Sequence, residues 1–215
     1  MDDDARDSPL TSLRQGSTDP RAVEAYYDEW AGGYDATLEA WRYRTPEDAA
    51  DLLAPYLAAG VRVLDVGCGT GLLGRALRDR AEVRLSGIDI SAASLRQAER
   101  RGIYGQLLRH DLQVTPLPVA NGAHDVAATV GVLTYIAEAE ALLRAMCRAV
   151  RAGGVVAFTQ RTDLWEARGF PAMIDRLEAD GLWQALHVSA PMPYLPGNAE
   201  FAEDIGVIHT LSRVT

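Results

Sequence analysis

Val63-Leu-Asp-Val-Gly-Cys-Gly-Thr-Gly-Leu-Leu-Gly74 is the stretch whose reading decides the fold. Val61, Val63, Leu64 and Val66 form a short, largely β-branched apolar run, the pattern of a strand buried on both faces. Glycines follow at once. Gly67, Gly69 and Gly71 carry no Cβ, so the chain can turn sharply and a ligand can lie against bare backbone. A helix is predicted from Gly71 through Leu77, with its first amides aimed at that ligand. Strand, glycine loop and helix in this order form the nucleotide-binding unit of α/β folds.

The glycine spacing leaves the ligand open, because Gly69-Thr-Gly-Leu-Leu-Gly74 also fits the dinucleotide pattern G-x-G-x-x-G. Asp65 separates the readings. A carboxylate two residues before the first glycine repels a pyrophosphate and attracts a ligand that carries an ammonium and a sulfonium. Asp65-Val-Gly-Cys-Gly-Thr-Gly71 resembles the first motif of the class I S-adenosylmethionine-dependent methyltransferases. The resemblance covers the chain from about Ala22 to its final strand. It implies a Rossmann-like α/β sheet of seven strands in the order 3-2-1-4-5-7-6, the last antiparallel, with helices on both faces. It also implies S-adenosylmethionine as methyl donor, S-adenosylhomocysteine as product, and cofactor contacts from Asp65, Gly67, Cys68, Gly69, Thr70 and Gly71.

Length and composition agree with one such domain. A chain of 215 residues builds one well-buried core and is short for two. It is 48% hydrophobic and 24% charged, with no apolar run of the roughly 18 residues that cross a membrane and no apolar leader, so a soluble, cytoplasmic protein is expected. The formal charge of −9 provides no basic face for phosphates, which disfavours a nucleic-acid partner and favours a small-molecule acceptor. Two cysteines, Cys68 and Cys147, predict neither a disulfide framework nor a metal site. Monomer and homodimer both remain open.

Upstream of the glycine loop, residues 1–20 hold Asp2, Asp3, Asp4 and Asp7 among Ser, Thr, Pro and Gly, and read as a disordered tail. A helix is predicted from Arg21 to Trp30, with Asp19 as cap and Pro20 at its start. Tyr26-Tyr-Asp-Glu-Trp-Ala-Gly-Gly-Tyr-Asp35 resembles the aromatic segment that precedes the first motif in many small-molecule methyltransferases. There the segment forms a helical lid, here about residues 21–45, with Tyr26, Tyr34 and Trp41 as cofactor contacts. Aromatic faces suit a sulfonium through cation–π attraction of about 0.5–2 kcal/mol. Trp41-Arg-Tyr43 followed by Pro46 further resembles the Williams-Beuren-region methyltransferase-like group. Thr45-Pro-Glu-Asp48 reads as the start of another helix, capped by Thr45.

Downstream, the second strand ends at Gly87-Ile-Asp-Ile90, which places Asp89 18 residues beyond Gly71, near the spacing of a ribose-binding carboxylate. Ile90 lies beside it, and Ser91 caps the next helix. A third strand at Gln106–Arg109 leads to His110, Asp111 and Leu112; the resemblance implies that Asp111 meets the adenine amine and Leu112 packs beside it. His124 is expected to face solvent at the start of the fourth strand. The resemblance puts methionine-side contacts at Thr129, Val130 and Leu133, and Tyr135 at the substrate wall. Helix from Glu138 to Ala152, ending at Gly153-Gly154, precedes a fifth strand, Val155–Thr159. Gln160, Arg161 and Trp165 follow at the ligand edge of the sheet and are candidates for substrate contact, Arg161 as partner of a carboxylate. A helix at Phe170–Asp180 and strands at Trp183–Val188 and Ile205–Val214 close the chain around a proline-rich segment, 190–197, read as irregular.

Methyl transfer from a sulfonium needs alignment and exclusion of water more than a covalent residue. Where the acceptor loses a proton, His110, His187, His209 and Tyr135 are the groups to consider as base or polar contact. The expected reaction is methylation of an oxygen or nitrogen of a small molecule, compatible with natural-product biosynthesis. The alternatives are another use of the same cofactor (cyclisation or elimination), a catalytically silent cofactor binder, and a nicotinamide-dependent oxidoreductase, against which Asp65 and the final double strand count.

Overall fold

The computed structural model describes Arg14, residues 16–202 and residues 204–215. Residues 1–13 and 15, most of the acidic stretch read as a disordered tail, lie outside the described residues. Two helices come first, α1 (Pro20–Trp30) and α2 (Tyr34–Ala40), followed by α3 (Thr45–Leu53). Five strands follow, joined by helices except between β3 and β4: β1 (Arg62–Val66), α4 (Leu72–Arg78), β2 (Arg84–Asp89), α5 (Ala92–Arg100), β3 (Tyr104–Arg109), β4 (His124–Thr129), α6 (Ala139–Ala149) and β5 (Val150–Arg161). The chain ends with α7 (Thr162–Trp165), α8 (Phe170–Ala179), β6 (Trp183–Val188), β7 (Met192–Pro193) and β8 (Gly206–Val214).

The strands form one sheet in the order β3-β2-β1-β4-β5-β8-β6, with β7 paired on β8. β1 to β5 are parallel, and β8 runs antiparallel to both β5 and β6. Setting the two-residue β7 aside, this is the expected order 3-2-1-4-5-7-6. Alternation along each strand divides the core into two layers. Val63, Val126, Val155 and Leu211 pack with Ala50, Leu53 and Leu77 of α3 and α4. Leu64, Ile88, Val156 and Phe158 pack with Leu142, Met146, Phe170 and Ile174 of α6 and α8. Leu53, Leu64, Leu77 and Ile88 are fully buried, each contributing about 1.5–3 kcal/mol. No helix among the described residues is long and apolar enough to cross a membrane.

Several local expectations are corrected. α6 stops at Ala149, and Gly153-Gly154 lies inside β5, whose register on β4 shifts between His124 and Val126; the glycines accommodate that irregularity, since a Cβ at Gly154 would sit 2.5 Å from the Asp125 carbonyl. His124 is buried rather than solvent-facing, and burial lowers its pKa. Thr45 is the first helical residue of α3 and is buried; the capping position belongs to Arg44, whose side chain makes no cap bond. The proline-rich segment contributes β7 at the rim of β8, where a strand proline needs no ladder donor. Asp19 and Ser91 do cap their helices, accepting from Arg21 N at 2.9 Å and Ser94 N at 2.9 Å.

Gly74, the last glycine of the opening stretch, faces Tyr104 of β3: a Cβ there would lie 2.2 Å from the phenol oxygen. Alanine in place of a helical glycine ordinarily gains up to about 1 kcal/mol. At this position the steric term reverses the sign, so Gly74→Ala is expected to destabilise the protein by about 1–3 kcal/mol, read as a lower denaturant midpoint; an unchanged or higher midpoint would refute this packing.

Candidate functional site

The strand order reverses between β1 and β4, and a cavity opens at their carboxyl ends, where open α/β sheets hold ligands. Its floor is the glycine loop. Gly67, Gly69 and Gly71 all have left-handed φ, at 76°, 52° and 91°. A Cβ on Gly67 would meet Val132 Cγ2 at 2.3 Å, whereas one on Gly69 would meet nothing within 4 Å, so Gly69 presents a bare backbone face. The loop amides are more occupied than the sequence reading supposed. Gly67 N and Cys68 N donate to Ile88 O, Gly71 N to Cys68 O, and Gly69 N to Asp89.

Asp89 ends β2 on the cavity wall, where its carboxylate accepts from Gly69 N and Ser91 N, each at 2.8 Å. Burial raises its pKa, against the opposing pull of those amides. Ile90, Asp111, Leu112 and Gln113 continue this wall, and Asp111 accepts from Gln113 N at 2.9 Å. Val130, Gly131, Val132, Tyr135 and Ile136 form the opposite wall, and Pro20, Val23, Tyr27 and Tyr34 the roof. The arrangement fits an adenosyl ligand: bare backbone at Gly69, a carboxylate for vicinal hydroxyls, an apolar slot with an acceptor at Asp111, and aromatic faces towards the other end.

The roof is fastened by charge. Asp28 of α1 accepts from Ser91 Oγ at 2.6 Å and Ala93 N at 3.0 Å, adding a second acceptor at the start of α5, and the hydroxyl bond lowers its pKa. Asp35 of α2 accepts from Thr70 Oγ1 at 2.6 Å and pairs with Arg101, which also donates to Thr70 O at 2.6 Å. Glu24 pairs with Arg109. Gln113 joins three segments, donating to Thr18 O at 2.6 Å and Tyr135 O at 3.3 Å and accepting from Ala137 N at 3.0 Å. Arg168 donates to Leu133 O at 2.6 Å, to Ile136 O and to Ala137 O at 3.1 Å, which holds the turn that carries Tyr135.

Of the residues proposed from sequence as cofactor contacts, Tyr34, Gly67, Gly69, Thr70, Asp89, Ile90, Asp111, Leu112 and Val130 line this cavity. Asp65 and Cys68 line an adjoining cleft beneath the loop with Tyr34, Tyr43 and Leu73. Tyr26, Trp41, Gly71, Thr129 and Leu133 do not line the cavity. Tyr26 and Trp41 pack with Trp30, Gly71 faces Tyr104 and Arg101, and Thr129 and Leu133 are fully buried. Tyr27, the neighbour of Tyr26, takes the cavity position, as the turn of α1 dictates. Tyr27, Gln113, Val132 and Ile136 were absent from the sequence-based set, as were the roof contacts Asp28 and Asp35.

Among the expected substrate and base residues, only Tyr135 lines the cavity. His110 Nε2 lies 2.8 Å from Val114 O in the turn after β3. His209 is buried in β8, its pKa lowered by burial, with Asp48 and His187 as charged or titratable neighbours. Gln160 is buried, accepting from Thr134 Oγ1 and Arg161 N. Arg161 is committed to Asp163 at 2.6 and 3.0 Å and to Arg14 O, and Trp165 stacks on Phe170 in the core.

Asp65 also departs from the simple picture of a fixed negative charge. It is 1% exposed, accepts from Tyr104 Oη at 2.6 Å, and burial pushes its pKa up to about 7.

A family model described as a methyltransferase domain matches residues 63–154. Methyltransferase-like protein 27 of Homo sapiens is 34% identical over 169 residues, covering 75% of this chain and 68% of that protein. A malonyl-[acyl-carrier protein] O-methyltransferase of Pseudescherichia vulneris is 33% identical over 141 residues, covering 65% of this chain and 53% of its own, so this chain spans about half of that relative. Among solved structures, a TehB-like SAM-dependent methyltransferase from Corynebacterium glutamicum superposes with a TM-score of 0.62 at 20% identity, covering 92% of this chain and all of that one.

A cationic ligand favours the ionised form of Asp65, so it draws a proton off whenever the pH lies near or below that group's raised pKa of about 7. Affinity for S-adenosylmethionine is therefore expected to rise with pH through this range, with protons released on binding. Calorimetric titrations in buffers of different ionisation enthalpy read that release, and Asp65→Asn should abolish its Asp65-dependent part.

Proposed function

Because this chain belongs to the class I S-adenosylmethionine-dependent methyltransferases, we propose that it methylates an oxygen or nitrogen atom of a small molecule. The observation that carries this reading is a roofed cavity lined by Asp89 on one wall and by Tyr27, Tyr34 and Tyr135, in a chain of formal charge −9. When bound, S-adenosylmethionine supplies an already activated methyl group. The names of the O-methyltransferase relatives support an oxygen as one such acceptor.

In this reading, Asp89 receives the ribose hydroxyls and Asp111 the adenine amine, with Ile90 and Leu112 as apolar sides of the slot. Gly69 lets the ligand approach the backbone. Tyr27, Tyr34 and Tyr135 border the far end, and α1 and α2 exclude water while Asp28 and Asp35 hold them down. Alignment in a closed site accounts for rate without a covalent intermediate.

S-adenosylmethionine and S-adenosylhomocysteine are expected to bind in calorimetry and NAD to give no heat. Asp89→Ala should weaken both adenosyl ligands by about 1–3 kcal/mol if its carboxylate holds the ribose. Incubation with methyl-labelled S-adenosylmethionine and a cell extract should then place the label in the small-molecule fraction. Label confined to protein or nucleic acid would overturn the small-molecule reading.

A further inference from the structure

Tyrosines from five separate places in the chain gather where the cavity and the cleft beneath the glycine loop adjoin, four lining these spaces and Tyr194 packed behind Tyr43. Tyr27, Tyr34 and Tyr135 line the cavity, and Tyr34 and Tyr43 line the cleft. Tyr43 Oη comes within 2.9 Å of where a Cβ on Gly131 would stand, so this phenol reaches the cavity wall because residue 131 is glycine. Tyr194, carried by the segment after β7, meets Tyr43 edge-on at 5.6 Å. Tyr27 meets Tyr34 at 6.0 Å and Tyr135 at 5.7 Å, also edge-on. Burial raises the pKa of all five phenols, so they are neutral and poor bases.

The charged groups around this cluster limit what it accepts. A carboxylate acceptor needs a cation, and Arg161 is committed to Asp163 in a bidentate pair. A hydroxyl acceptor needs a base; no histidine among the described residues lines either space, and the carboxylates that do are engaged, Asp65 by Tyr104 Oη, Asp89 by Gly69 N and Ser91 N, and Asp111 by Gln113 N. Aromatic rings with neutral phenol oxygens instead suit a small cation, which the ring faces attract and the oxygens can accept from.

We propose that the methyl acceptor is an amine that enters as an ammonium and is held by the tyrosine cluster of Tyr27, Tyr34, Tyr43, Tyr135 and Tyr194. This inference rests on the methyl-transfer reading above and narrows it to nitrogen. The sulfonium nearby disfavours a second positive charge, so the ammonium releases its proton to bulk water before α1 and α2 close over the pair. The neutral nitrogen then forms a bond to the methyl carbon as the carbon–sulfur bond breaks, its electron pair leaving with sulfur. Positive charge passes from sulfur to nitrogen, and the product leaves as a methylated ammonium beside neutral S-linked adenosyl homocysteine. The cluster never has to hold an anion or supply a base.

Three probes that differ in one functional group test this: phenethylamine, phenethyl alcohol and hydrocinnamate, each titrated calorimetrically into the protein saturated with S-adenosylhomocysteine. The amine should bind about tenfold more tightly than either other probe, and be methylated when S-adenosylmethionine replaces the product. Tyr194→Leu should lose about fivefold of the amine affinity while Tyr194→Phe, which keeps the ring, stays within about twofold. Failure of S-adenosylhomocysteine to bind folded protein would remove the cofactor reading beneath the inference. Binding of that ligand with preference for the alcohol or the acid, or with no binding of the amine, would overturn the amine inference alone.

Discussion

The buried hydrogen bond from Tyr104 Oη to Asp65 lies at the base of the site. A carboxylate at the end of a buried strand is costly unless its oxygens are satisfied. Here β3 supplies the phenol of Tyr104. The phenol also packs against Gly74 of α4, which sets how closely that helix approaches β3, and the glycine loop spans the turn from β1 to α4. Its left-handed glycines then turn the Gly69 amide towards Asp89, and Asp89 in turn accepts from Ser91 at the cap of α5. Loop, second strand and fifth helix are thus joined through polar contacts within the apolar sheet. The same geometry forbids a side chain at residue 74, because the phenol occupies the space a Cβ would need.

The roof depends on this framework in a different way. Glu24, Asp28 and Asp35 all reach down from α1 and α2 to groups on the sheet edge or the loop. Such contacts near solvent are individually weak, about 0–1 kcal/mol for an exposed ion pair, and salt weakens them further. Weakness is useful for a cover that must open to admit a ligand and release a product. Apolar packing of Leu38 with Leu195 and Phe201 gives the same helices a firmer contact on their other side. The helices are therefore held by apolar packing on one side and by polar contacts on the other.

Much of the architecture was legible in the sequence because it follows from periodicity and punctuation. The apolar run before Gly67, the cap at Ser91 and the spacing to Asp89 are local signals, and each corresponds to what the sheet requires. The misreadings concern features set by distant partners. Gly153-Gly154 has the form of a helix stop, yet the pairing of β5 with β4 decides its conformation. His124 has a polar side chain at a strand end, but packing buries it. Tyr26 and Tyr27 are adjacent and chemically alike, and only the rotation of α1 against the sheet puts the second over the cavity. Arg161 carries the charge expected of a carboxylate receptor, but Asp163, two residues on, already consumes it. Sequence identifies such groups and leaves their pairing to the fold.

Asp65 shows how far electrostatic reasoning from a sequence carries. Its sign is right for a cationic ligand, but desolvation pushes the proton affinity up until neutral pH lies on its titration. A carboxylate so poised attracts weakly when the site is empty of charge and strongly once a cation arrives, since ligand and proton compete for it. Burial also raises the phenols of Tyr34 and Tyr43, which line the same cleft as Asp65, so they stay neutral where the carboxylate titrates. Within one cleft, therefore, the carboxylate is poised to respond to a ligand's charge and the phenols are not. That division suits transfer from a sulfonium, in which positive charge moves from one ligand atom to another and net charge is conserved.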